Sequence, residues 1–366
     1  MTHAKNARRL VLTARVVSRF ASLPRSAAIA ILAGIAALVA LGLALSFGQT
    51  APKPGGAPGA SDLALYRTVV QRVRAGEPYE QAVVAAQRAG HYPLKPFVVV
   101  RPPLLAEALA RLPNEVAGDI LLAVLAAATA GAWVIRLRSL WPRPLWLAAS
   151  AAGLFTGVGA VMFGGGASLF HDAWAGLFIA LSLALRTEKR FAAAVLVGLL
   201  AALIRELAIP YLLVMAMLAL VERRRLEGAV FAGAAALALV ALAWHAQAVM
   251  TLTTPADPAS QGWVRLGGWG FVLATMRWNL LAIAAGGWVA AIIAPLALAG
   301  AAGWKDGTGL RLTALLFGYV LGFLAIGRPE NSYWGLLIAP LAAVGLCLAP
   351  MALGDLVRRT RGPAAP

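Results

Sequence analysis

Several apolar stretches of about 20 residues, nearly free of charged side chains, restrict the fold of this chain more than any other feature. A helix needs about 20 apolar residues to cross about 30 Å of hydrocarbon, where it satisfies its own backbone hydrogen bonds. Of the 366 residues, 61% are hydrophobic and only 13% are charged, which excludes a soluble globular or a disordered chain. The sequence therefore predicts an all-α polytopic membrane protein.

Most of these stretches have the length of one membrane-spanning helix. Each is bounded by short polar or basic segments, so neighbouring spans can be separated without ambiguity. Single spans are predicted at residues 27–47, 117–137, 144–164, 169–186, 228–248, 280–301, 309–327 and 333–352.

The stretch from Phe191 to Val221 is too long for one ordinary span, and Arg205, Glu206 and Pro210 lie near its middle. Basic residues flank both of its ends, and the cytoplasmic loops of membrane proteins collect Lys and Arg. Both ends are therefore predicted on the cytoplasmic side, so the stretch forms a hairpin of two short helices with "IRELAIP" at its tip. With the single spans, this gives about ten helices and two cytoplasmic termini.

The same rule divides the chain into segments. Residues 1–26 are a basic cytoplasmic segment, residues 27–352 are the membrane domain with an external loop at 48–116, and residues 353–366 are a cytoplasmic tail. The net charge of +17 is explained by the cytoplasmic loops, so no nucleic-acid partner is predicted. The single cysteine, Cys347, lies in the last span, which excludes a disulfide or a cysteine metal site within one chain.

The external loop begins with a Pro/Gly-rich stretch and then becomes helical in pattern. Residues 62–75 predict an amphipathic helix of the kind that lies in a membrane interface. Further short helices are predicted at 79–89 and in "PLLAEALARL". Two interpretations remain open, a packing cap over the bundle or a lid that positions a substrate. The predicted buried face of the first helix consists of Leu63, Tyr66, Val69, Val70 and Val73.

This topology brings an unusual set of polar residues to the external half of the protein. Ionisable groups at membrane depth are costly, so they normally face a cavity or one another. Each arm of the hairpin has about 14 apolar residues and spans roughly 21 Å, so its tip stops short of the surface and a polar head group can enter above it. The candidate site residues are Asp62, Arg101, His171, Asp172, Arg205, Glu206, Arg328, Glu330 and Asn331.

Several of these residues also have a purely structural interpretation. Arg205 and Glu206 are adjacent, so on a helix they point about 100° apart, and a structural pair to other helices is an alternative. Asp62 opens the first loop helix, where a carboxylate makes a good N-cap. Tyr66 and Tyr333 either help to bind a sugar or a prenyl chain or serve as membrane-interface anchors, and the second interpretation is favoured.

Five segments carry a resemblance to a known family: "SDLALYRTVVQRVRAGEPY", "HYPLKPFVVVRPPLLAEALARLP", "HDAWAGLFIALSLALR", "LLAALIRELAIPYLLVMA" and "RPENSYWGLLIAPL". With the order of a first helix, a long external loop bearing an early aspartate, and a polytopic bundle, they resemble the GT-C superfamily of membrane glycosyltransferases. The resemblance covers about residues 27–352 and is best to uncharacterised bacterial proteins of this type. It implies a multi-pass protein of the bacterial inner membrane with an extracytoplasmic active site.

The resemblance also implies a reaction, the transfer of a sugar from a polyprenyl-phosphate donor to an acceptor that the sequence does not identify. Asp62 would act as general base and the anomeric carbon would invert. Arg101, Arg205 and Arg328 would stabilise the leaving phosphate, with His171 as a helper. The residues that would hold these arginines or bind sugar hydroxyls are Asp172, Glu206, Glu330 and Asn331.

One departure from the family pattern concerns metal. Many GT-C enzymes carry two adjacent acids in the first loop, whereas Asp62 lies between Ser61 and Leu63. Neither a cofactor nor a metal is therefore predicted, although a divalent metal stays an option, with Glu77 and Glu80 as substitute acids.

Two other classes of function remain open. A transporter or flippase of a phosphorylated lipid or glycolipid would use the same basic cavity, but transporters often show two repeats with matching broken helices, and this chain shows one broken hairpin. A non-catalytic assembly partner that keeps a GT-C shell is the other alternative. Within the enzyme class, a polymerase or ligase of lipid-linked glycans is also compatible with the sequence.

Overall fold

A computed structural model describes residues 18–48, 60–141, 144–162, 165–262 and 265–361. These residues form α-helices and short 3-10 segments, with one isolated β-bridge between Lys95 and Ala259. The predicted basic segment up to residue 17, the Pro/Gly-rich stretch at 49–59 and the last residues of the predicted tail lie outside the described residues. In chain order, the α-helices are α1 (Arg25–Gly48), α2 (Ala60–Arg74), α3 (Tyr79–Ala89), α4 (Leu104–Ala110), α5 (Glu115–Leu137), α6 (Pro144–Val158), α7 (His171–Leu185), α8 (Ala192–Ile204), α9 (Ile209–Val221), α10 (Arg225–Leu252), α11 (Gly268–Met276), α12 (Leu280–Ala285), α13 (Trp288–Gly303), α14 (Gly307–Ala325) and α15 (Ala339–Arg361).

The all-α prediction is confirmed. Within the described part of the chain, five helices are long and apolar enough to cross a membrane by length and composition: α1, α5, α10, α14 and α15. Shorter apolar helices of 10–17 residues are α6, α7, α8, α9 with the turn before it, and α13. Each predicted span overlaps one helix of these two groups. The architecture is thus compatible with a multi-pass membrane protein.

Two predicted spans differ from the observed helices. The span at 280–301 is divided into α12 and α13 because Gly286 has a φ of 105°, a left-handed value that an α-helix cannot contain. The span at 333–352 begins with a 3-10 segment, Pro329–Leu337, and α15 starts only at Ala339. In that segment Gly335 lies directly against the backbone of Thr275 on α11, where a Cβ atom would overlap the carbonyl.

The chain reverses direction at Arg205, between α8 and α9. Arg205 has φ −144° and ψ 114°, so α8 ends there and the 3-10 turn Glu206–Ala208 leads into α9. The two arms then run side by side, since the Ser182 hydroxyl of α7 contacts both the Ala194 carbonyl of α8 and the Tyr211 hydroxyl of α9. The hairpin tip lies next to the start of α7, which carries Asp172.

At the opposite end of the bundle, a buried ion network joins the ends of five helices. The Arg186 guanidinium donates to both Glu227 oxygens at 2.7 and 3.0 Å, and Arg311 donates to both Glu222 oxygens at 2.7 and 2.8 Å. Arg224 also binds Glu227. We call these five residues the ion network, and they connect α7, α9, α10 and α14, while Arg136 of α5 binds the Arg186 carbonyl. Buried charges of this kind are tolerated because each carboxylate meets a guanidinium in bidentate geometry.

Helices α2, α3 and α4, with the connecting residues 90–103, form a cap over the hairpin end of the bundle. The residues assigned from the sequence to one face of α2 pack inward, since Val69 and Val70 are buried while Leu63, Tyr66 and Val73 pack against the same cluster. This apolar cluster continues into the bundle through Leu122, Trp174, Leu177 and Ile204. The cap therefore shares one apolar core with helices of the bundle.

Ion pairs fix the cap at its margins. Arg67 of α2 donates to both oxygens of Glu115 at 2.6 and 2.7 Å, at the start of α5. Arg72 pairs with Glu77 in the turn between α2 and α3. Basic residues of the external loop are thus partly used to hold the cap, and those named here do not line the cavity described below.

We predict that Glu227→Gln destabilises the protein by about 3–5 kcal/mol, because it leaves Arg186 buried without its bidentate partner. Thermal unfolding in lipid nanodiscs measures the effect. Glu188→Gln is the matched control, since Glu188 is exposed and makes no side-chain ion pair with a described residue. Equal unfolding temperatures for the two variants would contradict a stabilising role for the ion network.

Candidate active site

A cavity of about 970 Å³ lies between the cap and the hairpin end of the bundle. Ligand pockets commonly have volumes of about 300–1,000 Å³, so this one can take more than a monosaccharide. Its wall comes from the cap, from α9 and α14, and from the segments at 258–261 and 326–337. The candidate site residues that line it are Asp62, Arg101, His171, Arg205, Glu206, Arg328, Glu330 and Asn331.

The guanidinium of Arg101 lines this cavity, and its hydrogen-bond partners among the described residues are uncharged. Its Nη2 donates to the Tyr333 hydroxyl at 2.7 Å and its Nε to the Tyr66 hydroxyl at 3.3 Å. No carboxylate among the described residues lies within ion-pair distance of its guanidinium. Its own carbonyl accepts a 2.6 Å hydrogen bond from the Tyr79 hydroxyl, which fixes the backbone that carries it. The guanidinium can therefore donate to an anion without breaking an ion pair.

Arg205, by contrast, is already neutralised. Its Nε donates to Asp172 Oδ1 at 2.9 Å and its Nη1 to Glu206, and its side chain is only 1% exposed. The 100° separation expected on a helix does not apply to Arg205 and Glu206, because Arg205 is in extended conformation and the helix ends there. The pair links the hairpin tip to α7, as in the structural alternative. Asp172 does not line the cavity and instead holds Arg205 from behind.

His171 begins α7 and faces the same cavity. Its side chain is only 5% exposed, and neither imidazole nitrogen has a hydrogen-bond partner of good geometry among the described residues, although the ring lies near the Leu169 carbonyl. Its ring lies edge-on to that of Tyr66, with centroids 5.4 Å apart. Buried polar groups are rarely left without a partner, so an unpaired imidazole in a cavity indicates a place for a ligand.

Tyr66 connects the groups on this side of the cavity. It lies in the cap, where burial raises the pKa of its hydroxyl to about 12, although the positive charge of Arg101 acts in the opposite direction. The phenol therefore stays protonated at neutral pH and remains able to donate a hydrogen bond.

Asp62 lies one turn before Tyr66, in the first turn of α2. The helix begins at Ala60, so Asp62 is inside the first turn and its carboxylate makes no hydrogen bond or ion pair with a described residue. The N-cap alternative is thus not what the structure shows. The half-buried carboxylate lines the cavity and is free to accept a proton or a hydrogen bond.

Arg328 and its neighbours form the rim of the cavity. Arg328 donates to the Gln261 side chain at 2.8 Å and to the Gln261 carbonyl at 3.3 Å, and Glu330 approaches it at 3.3 Å. Glu330 is 62% exposed, which places it at the entrance. Asn331 also lines the cavity, in the 3-10 segment that follows. The polar "RPEN" run therefore marks one side of the opening.

An apolar slot extends the cavity between α9 and α14. Leu207, Pro210 and Val214 line one side, while Gly318 and Gly322 lie opposite on α14. Both glycines are exposed, and a Cβ atom added to either would touch nothing within 4 Å. The slot is thus open along about one turn of α14 and is lined by side chains suited to a hydrocarbon chain.

The sequence left the role of the site's tyrosines open between ligand binding and interface anchoring, and it did not predict their contact with Arg101. In the structure the hydroxyls of Tyr66 and Tyr333 both accept hydrogen bonds from Arg101. Gln87 and Gln261, which also line the cavity, were not considered. The helical spacing of Tyr79, Val83 and Gln87 was a usable signal for Gln87, because residues four apart share one face. Tyr333 carried no such signal, since its segment was expected to be an α-helix.

Among the residues that the structure describes, no group of three or more His, Cys, Asp or Glu side chains is arranged to hold a metal ion. Asp62 is the half-buried acid of the cap side, and neither Glu77 nor Glu80 lines the cavity. The substitute acids considered from the sequence are therefore not at this site.

A strap at 253–262 closes the side of the cavity formed by α3. Arg88 donates to both Asp257 oxygens at 2.7 Å, Leu94 N donates to the Pro258 carbonyl at 2.9 Å, and Ser260 N to the Lys95 carbonyl at 2.7 Å. Hydrogen bonds from Arg88, and then from the Thr254 backbone, hold the pKa of Asp257 far below its usual range.

We predict that this strap loosens at acidic pH. Because the folded-state pKa of Asp257 is depressed, its stabilisation is full above the unfolded value of about 3.9 and is lost as pH falls towards the folded value. Amide hydrogen exchange at 253–262, corrected for the intrinsic pH effect, should therefore accelerate below about pH 4. Asp257→Asn should show fast exchange already at pH 7, while Glu80→Gln, the control, should behave as wild type. Equal protection of wild type and Asp257→Asn at pH 7 would contradict this role.

No protein-family model, no curated protein and no solved structure matches this chain. The resemblance to GT-C enzymes therefore stays a prediction, and the case for a function rests on the residues of the cavity.

Proposed function

We propose that the protein is an inverting glycosyltransferase of GT-C type that moves a sugar from a polyprenyl-phosphate donor to an acceptor. In this proposal it crosses a bacterial inner membrane about ten times, with both termini in the cytoplasm and the cavity on the extracytoplasmic side. The ion network, with its basic flanking loops, then lies at the cytoplasmic end, which agrees with the excess of Lys and Arg in cytoplasmic loops.

The observation that carries the proposal is the position of Arg101. A guanidinium bound only to two phenol hydroxyls lies beside an unpaired imidazole, and the apolar slot opens from the same cavity. A lipid phosphate matches both halves of this arrangement, because its phosphate accepts from Arg101 and its hydrocarbon chain occupies the slot. A free sugar would leave the apolar slot empty, and a lipid without a phosphate would leave Arg101 without an anion.

Asp62 supplies the base for the transfer. Its carboxylate would take the proton of the acceptor hydroxyl as that oxygen forms a bond to the anomeric carbon. The bond between the anomeric carbon and the phosphate oxygen breaks on the opposite face, the electron pair leaves with polyprenyl phosphate, and the configuration inverts. Arg101, with the hydroxyls of Tyr66 and Tyr333, would stabilise the charge that develops on the leaving phosphate.

Asp62→Asn separates chemistry from binding. We expect the variant to bind farnesyl phosphate as wild type does and to release sugar from a panel of polyprenyl-phosphate sugars at least about 100-fold more slowly, the usual loss of a general base. Arg101→Gln should instead weaken farnesyl phosphate binding by about tenfold or more, because a charge-assisted hydrogen bond is lost.

Arg111→Gln is the control for both measurements, since Arg111 is exposed, pairs with Glu107 and does not line the cavity. Full turnover in Asp62→Asn would disprove its role as base. Wild-type phosphate binding in Arg101→Gln would remove the observation on which the proposal depends.

Filling the slot tests the lipid part of the proposal. Gly318→Leu adds a side chain where the structure has open space, so folding should be unaffected or slightly favoured in a helix. We expect turnover with polyprenyl donors to fall by about tenfold while turnover with a donor of a single isoprene unit changes less, because the shorter chain occupies little of the slot. Gly233→Leu on α10, also in open space, is the control. An equal loss for short and long donors would contradict the assignment of the slot.

A transporter or flippase is the second candidate, and one observation favours it. The cavity reaches Ala314 and Leu315, one helical turn from Arg311 of the ion network, so a thin layer separates it from the opposite end. Movement of a fluorescent farnesyl phosphate across reconstituted vesicles, without sugar release, would favour this candidate. A protein that neither releases sugar nor moves lipid would favour the assembly-partner alternative.

A further inference from the structure

Gln87 of α3, in the wall of the cavity, carries a buried acceptor that nothing in the proposed reaction explains. Its side chain lines the cavity and is 5% exposed. The amide nitrogen donates to the carbonyls of Pro93 at 3.3 Å and Val99 at 3.5 Å. Because carbonyls only accept, this arrangement fixes which end of the amide is the nitrogen. The remaining atom, Oε1, is buried and has no hydrogen-bond partner among the described residues.

The surroundings of Gln87 are polar but uncharged. We call this region the uncharged end of the cavity, and it is lined by Val83, Gln87, His91, Pro93, Val99 and Ser260. The charged residues close in sequence to this region make their contacts outside the cavity. Arg88 and Asp257 bind each other, and the Lys95 ammonium donates to the carbonyls of Thr254 and Pro255. None of these three lines the cavity.

The uncharged end and the Arg101 guanidinium have different partners. Gln87 Nε2 donates to the carbonyl of Val99, two residues before Arg101, whereas the Arg101 guanidinium donates to the hydroxyls of Tyr66 and Tyr333. The two regions therefore suit two different chemical groups.

The chemistry of Oε1 decides what kind of group fits. A buried acceptor without a partner needs a donor, and a hydroxyl supplies one. A carboxylate or phosphate has only acceptors to offer at neutral pH. Among the described residues named for this end there is no Lys or Arg to attract such a group, and Arg328, which binds the neighbouring Gln261, is already paired with Gln261 and Glu330. A hydrocarbon would leave the acceptor unpaired.

We propose that the uncharged end binds a neutral polyhydroxy group, such as an uncharged glycan, with Gln87 Oε1 accepting a hydrogen bond from one of its hydroxyls. This group is the acceptor of the proposed glycosyl transfer, and only that last identification rests on the proposed function. The acceptor is thus an uncharged glycan or polyol and not an acidic glycan or a phosphorylated one.

The test is saturation-transfer NMR on the whole protein in lipid nanodiscs, because sugar-based detergents would occupy the site. The probes are the methyl glycosides of glucose, galactose and mannose, with glucuronate and glucose 6-phosphate as charged counterparts. We expect saturation transfer to at least one neutral glycoside and none above background to the charged sugars. Gln87→Met, which keeps the volume and removes the acceptor, should weaken glycoside binding by about fivefold or more.

Two further variants keep the proposal falsifiable. Ser260→Leu fills the uncharged end from the strap without touching the hydrogen bonds of Gln87, and it should also remove the glycoside signal. Gln87→Met should bind farnesyl phosphate as wild type does, whereas Arg101→Gln should keep glycoside binding.

The outcomes separate this inference from the proposed function. Glycoside binding that depends on Gln87, in a protein that does not bind farnesyl phosphate, would support the neutral subsite and overturn the transferase. Glycoside signals that are equal in wild type and in folded Ser260→Leu, or charged sugars that bind as well as neutral ones, would overturn the inference. Absence of any glycoside signal in the wild type would do the same.

Discussion

The cavity depends on the buried contact of Arg205 with Asp172 and Glu206. Arg205 ends α8 in extended conformation, and its guanidinium reaches back to the start of α7 while also binding the next residue. Without a cation there, two carboxylates would be buried side by side at the tip of the hairpin, which is strongly unfavourable. The contact therefore fixes where the hairpin stops, and the space above its tip is the floor of the cavity.

The same contact also determines the electrostatic environment that an anion would meet in the cavity. Asp172 and Glu206 also attract Arg101 electrostatically, but they are bonded to Arg205, so these two arginines and two acids together are close to neutral. The region would therefore bind an anion mainly through hydrogen-bond donors in fixed positions and less through a large positive electrostatic potential. Recognition of this kind depends on geometry and desolvation, and it is less sensitive to salt than binding to an exposed basic patch.

Much of the architecture could be predicted from the sequence, because hydrophobic length and the placement of Lys and Arg act over whole helices. The hairpin at Arg205 followed from the basic residues at both of its ends, and the face of α2 followed from its spacing. Most of the candidate site residues line one cavity, since the cost of burying charge in an apolar bundle drives ionisable groups together.

What could not be predicted depends on local backbone geometry and on pairing. The break at Gly286 and the 3-10 segment at Pro329–Leu337 come from single residues within otherwise apolar runs. Which arginine is paired depends on side chains distant in sequence, so Arg101 and Arg205 looked equivalent. The contact of the two tyrosines with Arg101 could not be predicted, because a phenol at a helix end serves equally well as an anchor in the membrane interface or as a hydrogen-bonding group in a site.

The shortness of the hairpin arms has a consequence for how any ligand arrives. Each arm has 13 residues and is about 20 Å long, so in a bilayer the cavity floor would lie below the head-group plane and the slot would open sideways into the hydrocarbon. A molecule with a long apolar tail could then enter by lateral diffusion in two dimensions, with its tail never leaving the membrane. Water-soluble molecules of the same head group would have to arrive from above, past the rim at Arg328 and Glu330. The bundle would therefore separate ligands by their route of entry before any side chain of the site contacts them.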